Sequence, residues 1–224
     1  MNSLLGKTDN KSFDVIDNIV SGLLNFLIIV ISILALMYVL FIPFNIDGSS
    51  MLPSLNNGDM ALVSKLTQPN KSDIVVVDTG KDYKKDGQSF KHYIIKRVVA
   101  SENEKVAFLK EDGVINLYID SGSGFKKVEE DYINEKMELS SSSLFTAVDI
   151  CSTKEEMSQK NITVPENSVF VLGDNRNVSL DSRRYGCFEI TSIVGTVIAN
   201  FNQEDFWFGF FSLFYKSENT TNNI

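Results

Sequence analysis

Three short stretches of the chain carry residue types that can do chemistry. Ser50 lies in the run Gly48-Ser49-Ser50-Met51-Leu52-Pro53-Ser54-Leu55, followed by Gly58-Asp59. A serine in a Gly/Ser turn can present its hydroxyl and its backbone N–H together, which suits nucleophilic attack with oxyanion binding. Taken alone, the same run is also an ordinary polar linker. Lys96-Arg97 interrupts the apolar stretch from Tyr93 to Ala100. Strand side chains alternate between faces, so the two cations point in opposite directions. A lysine turned into a core is destabilised as a cation, its pKa falls, and it can accept a proton near neutral pH. An edge strand with both residues solvated fits the same letters. The third stretch, Gly173 to Gly186, sets five charged side chains behind a strongly apolar segment. Turn chemistry explains its Gly, Asp and Asn. It explains less well the interleaved Ser179, Asp181 and Arg183, which can orient one another and a neighbouring group through charge-assisted hydrogen bonds.

The elements that must hold these residues read as strands. Asp73–Asp78, Tyr93–Ala100, Ser168–Leu172 and Gly195–Ala199 are short, rich in β-branched residues, and bounded by Gly, Asp, Asn or Pro. No βαβ rhythm and no repeat interrupts them, so a mainly β domain is expected. Residues 101–164 are more polar and read as an inserted subdomain; Lys81 to Ser89 reads as a polar hairpin tip. Residues 206–224 open with a dense aromatic run from Phe206 to Tyr215, too short to span a bilayer as a helix. It reads either as an interfacial foot or as a last element packed on the core.

Composition narrows the function classes. A net charge of −8 in 224 residues argues against nucleic acid as partner, because phosphate neutralisation needs a basic surface. The two cysteines, Cys151 and Cys187, have neither CxxC nor zinc-site spacing. They are one disulfide or two free thiols, and nothing in the sequence brings them together. The single histidine, His92, excludes any mechanism that needs two. From Asn18 to Ile46 no residue is charged, and residues 18–44 are long and apolar enough for a permanent transmembrane helix ending near Pro43. Lys7 and Lys11 precede the span and the next basic residue is Lys65, so the positive-inside rule puts residues 1–17 in the cytoplasm and the rest outside.

Taken together, the three clusters resemble the type I signal peptidases, the serine–lysine leader peptidase family, in its Gram-positive-like form with one N-terminal span. That family carries Ser-Met-x-Pro-[Thr/Ser]-Leu-x-x-Gly-Asp after the span, then a strand with Lys-Arg, then Gly-Asp-Asn-Arg-x-x-Ser-x-Asp-Ser-Arg-x-x-Gly. All three occur here in that order, at Ser50 to Asp59, Lys96-Arg97 and Gly173 to Gly186. The resemblance implies an all-β catalytic core, residues 45–100 and 165–205, with a smaller β subdomain inserted at 101–164. By position, Ser50 is the nucleophile and Lys96 the general base. Ser179 orients the lysine amine, while Asp181 with Arg183 and Asp174 with Arg97 form supporting pairs. Gly48 leaves the oxyanion hole chiefly to the backbone N–H of Ser50. Ser54 stands where Thr is commoner, and Ala100 to Glu104 replaces the family's Leu-Pro-Gly-Asp turn. A related branch uses His in place of the lysine, but His92 lies four residues from Lys96, ~13 Å along one strand face, and reads as a polar strand residue.

The implied reaction is cleavage of N-terminal signal peptides after small residues, of the Ala-x-Ala type, with no metal or cofactor. Phe44, Ile46, Met51, Leu55 and Ile95 are expected to wall the substrate pockets, and Ile94 and Val98 to help line the lysine's apolar surroundings. The expected partners are signal peptides of secreted preproteins, the bilayer and the secretion translocon. Self-cleaving serine–lysine repressors are a poor fit, since they need a DNA-binding domain and no span. Two alternatives stay open on sequence: a peptidase dedicated to one pilus or envelope precursor, and a non-catalytic membrane-tethered assembly protein on the same scaffold.

Overall fold

The computed structural model describes residues 6–85, 88–202 and 218–221. The chain divides into two units, Met1–Phe41 and Ile42–Ile224. The first is one helix, α1 (Gly6–Leu40). Its apolar part, Asp14–Leu40, is long enough to cross a membrane and buries nothing against protein. The helix stops at Leu40, short of the expected end at residue 44. Ile42 precedes Pro43, and a residue before proline is steered out of the α region. The chain therefore continues extended as β1 (Phe41–Asp47), which buries Ile42, Phe44 and Ile46 at alternate positions.

The second unit is mainly β, as the strand patterns predict. After β1 come β2 (Met60–Ser64), β3 (Ile74–Lys85), β4 (Gln88–Ser101), β5 (Lys105–Glu111) and β6 (Val114–Asp120). The short strands β7 (Lys126–Lys127), β8 (Met137–Glu138), β9 (Ile150–Cys151) and β10 (Ile162–Thr163) follow. The chain closes with β11 (Ser168–Leu172), the one-turn helix α2 (Ser182–Tyr185), β12 (Phe188–Glu189), β13 (Ile193–Phe201) and β14 (Glu218–Thr221). An 8-stranded sheet runs β12-β11-β4-β3-β13-β2-β1-β14, and a 6-stranded sheet is built on β10-β5-β6-β7 with β8 and β9 at its sides. Apart from β14, which pairs in parallel with β1, the aromatic C-terminal segment lies outside the described residues.

The Lys81–Ser89 hairpin tip is shorter than its polarity suggests. Pairing continues outward from Asp82↔Lys91 through Tyr83↔Phe90, beyond a three-residue irregularity at Thr79–Lys81. The Tyr83 and Phe90 rings stack at 5.6 Å, which holds the ladder together past the bulge. In β4 a second irregularity sets Ala100 opposite Phe170 and Val98 opposite Val171, leaving Val99 as an extra residue. Bulges of this kind re-aim side chains along a strand. The segment after β4 turns at Ser101–Glu104, where Asn103 takes the left-handed conformation at φ 65° that Gly would otherwise fill. The Glu104 carboxylate organises this turn, accepting from Ser101 N–H at 2.9 Å, from Lys71 at 2.9 Å and from the Ser121 hydroxyl.

Apolar packing joins the two sheets. Val99, Ala100, Phe170 and Leu172 of the first sheet bury against Val106, Phe108, Leu117 and Ile119 of the second. Gly195 of β13 shows how close the strands come: a Cβ there would overlap the Ser64 carbonyl oxygen and meet Val63 at 2.8 Å. Gly195→Ala is therefore expected to cost about 1–3 kcal/mol through overpacking, read as a lowered Tm of the full chain in detergent; an unchanged Tm would mean the β2–β13 contact yields freely.

Candidate active site

Lys96 sits in the middle of β4, 1% exposed, and its amine donates to Ser50 Oγ at 2.8 Å and to the Ile95 carbonyl at 2.8 Å. Ser50 is 4% exposed. The apolar residues expected around the lysine divide into two clusters. Ile94 and Val98, on its own face of β4, pack with Val75, Val77, Val169 and Val171. Ile95, Met51 and Leu55 pack with Phe44, Ile46, Ala61, Val63, Val76 and Tyr93. Burial in this packing pulls the Lys96 pKa from 10.5 down to about 8, while Asp181 and Asp174 act to raise it and Arg183 to lower it. An amine that is neutral over part of the physiological range, within reach of a serine hydroxyl, can take that hydroxyl's proton.

The Gly173–Gly186 loop grips the Ser50 turn from the other side. Asn175 donates its backbone N–H to the Ser50 carbonyl at 3.0 Å and its side-chain amide to the Ser49 carbonyl at 3.2 Å. Gly48 N–H donates to Asn57 Oδ1 at 2.7 Å, which closes the start of the turn. Among the described residues, the Ser50 N–H donates to nothing, so it can serve a developing oxyanion. Gly173 has no room for a side chain, because a Cβ would overlap the Ser179 hydroxyl and come within 2.6 Å of the Ser50 carbonyl oxygen.

Arg97 and Arg183 each form an ion pair with an aspartate of the loop. Arg97 donates to both Asp174 oxygens at 2.8 and 2.6 Å. Arg183 and Asp181, both fully buried, make the same two-pronged contact at 2.8 Å on each side. Burial works to raise the Asp181 pKa, but the Arg183 charge and hydrogen bonds and the Gly173 N–H outweigh it and hold the carboxyl below its ordinary range. Asp181 also caps α2, accepting from Arg183 N–H at 3.2 Å. The remaining Arg183 donors reach the carbonyls of Arg176 at 2.7 Å and Ser179 at 3.1 Å, so the guanidinium closes the loop on itself.

Ser179 does not take the position that the resemblance implies. It is fully buried and its hydroxyl has no hydrogen-bond partner. The lysine amine turns to Ser50 and Ile95 instead, and the Ser179 hydroxyl lies against Gly173. Phe44, Ile46, Met51, Leu55 and Ile95 do come together, but as fully packed core rather than open walls. His92 is outside the site, bonded through Nδ1 to Thr79 Oγ1 at 3.0 Å. Cys151 and Cys187 are both free thiols. Among the described residues, no group of three or more His, Cys, Asp or Glu side chains could hold a metal.

A family model described as signal peptidase, peptidase S26, matches residues 19–201. The chain belongs to this family. Signal peptidase IB of Staphylococcus aureus (strain MRSA252) is 30% identical over 86% of this chain and 96% of that protein. A probable thylakoidal processing peptidase 2, chloroplastic, of Arabidopsis thaliana is 31% identical over 68% of this chain, a match that spans only 36% of the relative's length. A solved signal peptidase I from Enterococcus faecalis V583 aligns with 59% of this chain and 99% of its own, at 24% identity and a TM-score of 0.36.

Within this peptidase S26 chain, two positioning residues escape a motif-by-motif reading. Ser54 donates to Asp174 at 2.5 Å and accepts from Arg97 at 3.0 Å, so it is a third member of that ion pair. Asn175 stitches the Ser50 turn to the loop. Both stand inside recognised motifs, but only the fold shows what they touch.

The lysine's lowered pKa has a signed consequence for stability. Between pH 8 and 10.5 the unfolded chain holds the Lys96 proton and the folded chain does not, so this group makes stability rise with pH across that window. Below it, the full penalty of about 3 kcal/mol is present. Lys96→Met is expected to raise the Tm at pH 7, with the advantage shrinking above pH 8 and gone above pH 10.5. A gain constant in pH would exclude the buried cation as its cause.

Proposed function

We propose that this chain is a membrane-bound serine endopeptidase of the signal peptidase I type, which removes N-terminal signal peptides from translocated preproteins. The observation that carries the mechanism is the 2.8 Å contact between the Lys96 amine and Ser50 Oγ inside apolar packing. Neutral Lys96 accepts the Ser50 proton as Oγ attacks the carbonyl of the last signal-peptide residue. The Ser50 N–H stabilises the oxyanion, and the protonated amine then donates to the leaving amine. Water activated by Lys96 frees the acyl-enzyme. Asp181 with Arg183, and Asp174 with Arg97 and Ser54, hold the loop that carries these groups.

Substrate choice follows from the packing. Phe44, Ile46, Met51, Leu55 and Ile95 pack into one buried apolar cluster, in which Met51 directly follows Ser50 in the chain. Close packing beside the nucleophile favours substrates with small side chains, such as alanine, next to the scissile bond. The substrate backbone adds to a strand edge, as extended peptides do. The span holds the enzyme at the bilayer, and Lys7 and Lys11 ahead of it favour an N-terminus in the cytoplasm with the catalytic unit outside. Helix α1 ends at Leu40, so the tether to Ser50 is short. Tethering to the bilayer raises the effective concentration of the nucleophile for signal peptides carried by the same membrane beside the translocon.

The test is cleavage of a preprotein with an Ala-x-Ala site in detergent micelles, read by N-terminal sequencing. Wild type is expected to cut after the second alanine with an acidic limb of kcat/KM near pH 8, while Ser50→Ala and Lys96→Ala lose cleavage by about three orders of magnitude or more. Cleavage that survives Lys96→Ala would remove the lysine from the mechanism. A wild type that cuts none of several precursors would remove the activity.

A further inference from the structure

Three arginines stand in or against the Gly173–Gly186 loop, Arg176 and Arg183 buried and Arg97 half-buried, and two are neutralised from within the site: Arg97 by Asp174, and Arg183 by Asp181. The third, Arg176, is 1% exposed and has no carboxylate of the loop as partner. Its counter-charge comes from the connecting segment between β7 and β8, beside the second sheet. Arg176 Nη1 lies 2.6 and 2.7 Å from the two Glu130 oxygens, and Nη2 donates to the Tyr132 hydroxyl at 3.2 Å. Tyr132 in turn donates to Glu130 at 3.0 Å. Its ring lies under the Arg97 guanidinium at 4.3 Å and beside that of Arg176 at 5.8 Å. Burial and the adjacent Glu130 charge, against the opposing pull of Arg176, push the Tyr132 pKa up to about 12, so the phenol keeps its proton.

These contacts lead in two steps to the reacting atoms. Arg97 is the chain neighbour of Lys96 on β4. Arg176 Nε donates to the Gly173 carbonyl at 2.9 Å, and Gly173 packs directly on Ser179 and the Ser50 carbonyl. Between them, Asn175 holds the Ser50 turn. One aromatic ring and one carboxylate from the β7–β8 connection thus touch both the strand that carries Lys96 and the loop that holds Ser50.

We propose that Glu130 and Tyr132 are positioning residues for the proteolytic reaction, a clamp by which the β7–β8 connection sets the register of Lys96 against Ser50. A buried guanidinium that loses its counter-ion is strongly unfavourable, so loss of Glu130 forces Arg176 and the loop outward. Loss of the Tyr132 ring releases Arg97 from the same side. In either case water reaches Lys96, and the charges that act on it (Asp181, Asp174 and Arg183) no longer stand at fixed distances.

The proposal rests on the peptidase reading, so its experiment has one readout that needs no cleavage. Full-length wild type, Glu130→Gln, Tyr132→Leu and Tyr132→Phe are prepared in detergent. kcat and KM are measured against pH on the Ala-x-Ala preprotein, and Lys96 is titrated by NMR of ¹⁵N-lysine, assigned with Lys96→Met. Glu130→Gln and Tyr132→Leu are expected to lower kcat by about ten- to a hundredfold with KM little changed. Their acidic limb and the Lys96 titration should both move to higher pH. Tyr132→Phe keeps the ring over Arg97 and should recover most of kcat. An unmoved Lys96 titration in folded Glu130→Gln and Tyr132→Leu overturns the clamp, whether or not kcat falls. If Tyr132→Leu does not fold, the near-isosteric Glu130→Gln and Tyr132→Phe decide alone, with no shift in Glu130→Gln again overturning the proposal. A wild type that fails to cleave while the variants still shift Lys96 counts against the peptidase reading and leaves the clamp supported.

Discussion

An ammonium group is costly inside apolar packing, and the architecture around Lys96 follows from keeping its nitrogen there. Desolvation alone would push the side chain out or draw water in. Both are prevented by burying the lysine in a central strand with neighbours on each side, β3 and β11, and apolar clusters on each face. An edge strand could not have done this. The same letters that read as a solvated Lys-Arg pair acquire chemistry only because β4 lies inside the 8-stranded sheet.

A second constraint follows. A buried lysine needs a rigid partner, yet Ser50 lies on a turn, which is the least rigid kind of element. The loop from Gly173 to Gly186 supplies rigidity through charge. Arg176, Arg183, Asp174 and Asp181 are ion-paired, and spare donors of the two arginines reach backbone carbonyls of the same loop. Buried pairs of this sort add little net stability. Their contribution here is positional: each fixes a backbone segment that a purely apolar core would leave free to shift.

Much of this was legible in the sequence. The three motifs, the mainly β pattern and the apolar span could be read from residue types and spacing, because each depends on local periodicity or a contiguous signature. What could not be read depends on contacts between distant segments. Nothing near Glu130 or Tyr132 in the chain shows that they face Arg97 and Arg176. Ser54 reads as a mild variant of Thr, yet it bridges Arg97 and Asp174, 43 and 120 positions away. The end of the helix was misplaced for a local reason: apolar residues continue past Leu40, so hydropathy runs on while Pro43 has already turned the backbone extended. Phe44 and Ile46 belong as much to the core as to any pocket, a distinction that composition does not carry.

The length of α1 has a consequence for where the chain can reside. At 1.5 Å per residue, the uncharged stretch of the helix, residues 18–40, rises roughly 35 Å, against a hydrocarbon core of about 30 Å. The excess must be absorbed by tilting, bending or local thickening of the lipid, each at a modest cost that grows with the mismatch. A thicker bilayer lessens that cost and a thinner one adds to it. Lipid thickness is therefore a variable to which this anchor responds, independent of anything its catalytic unit does.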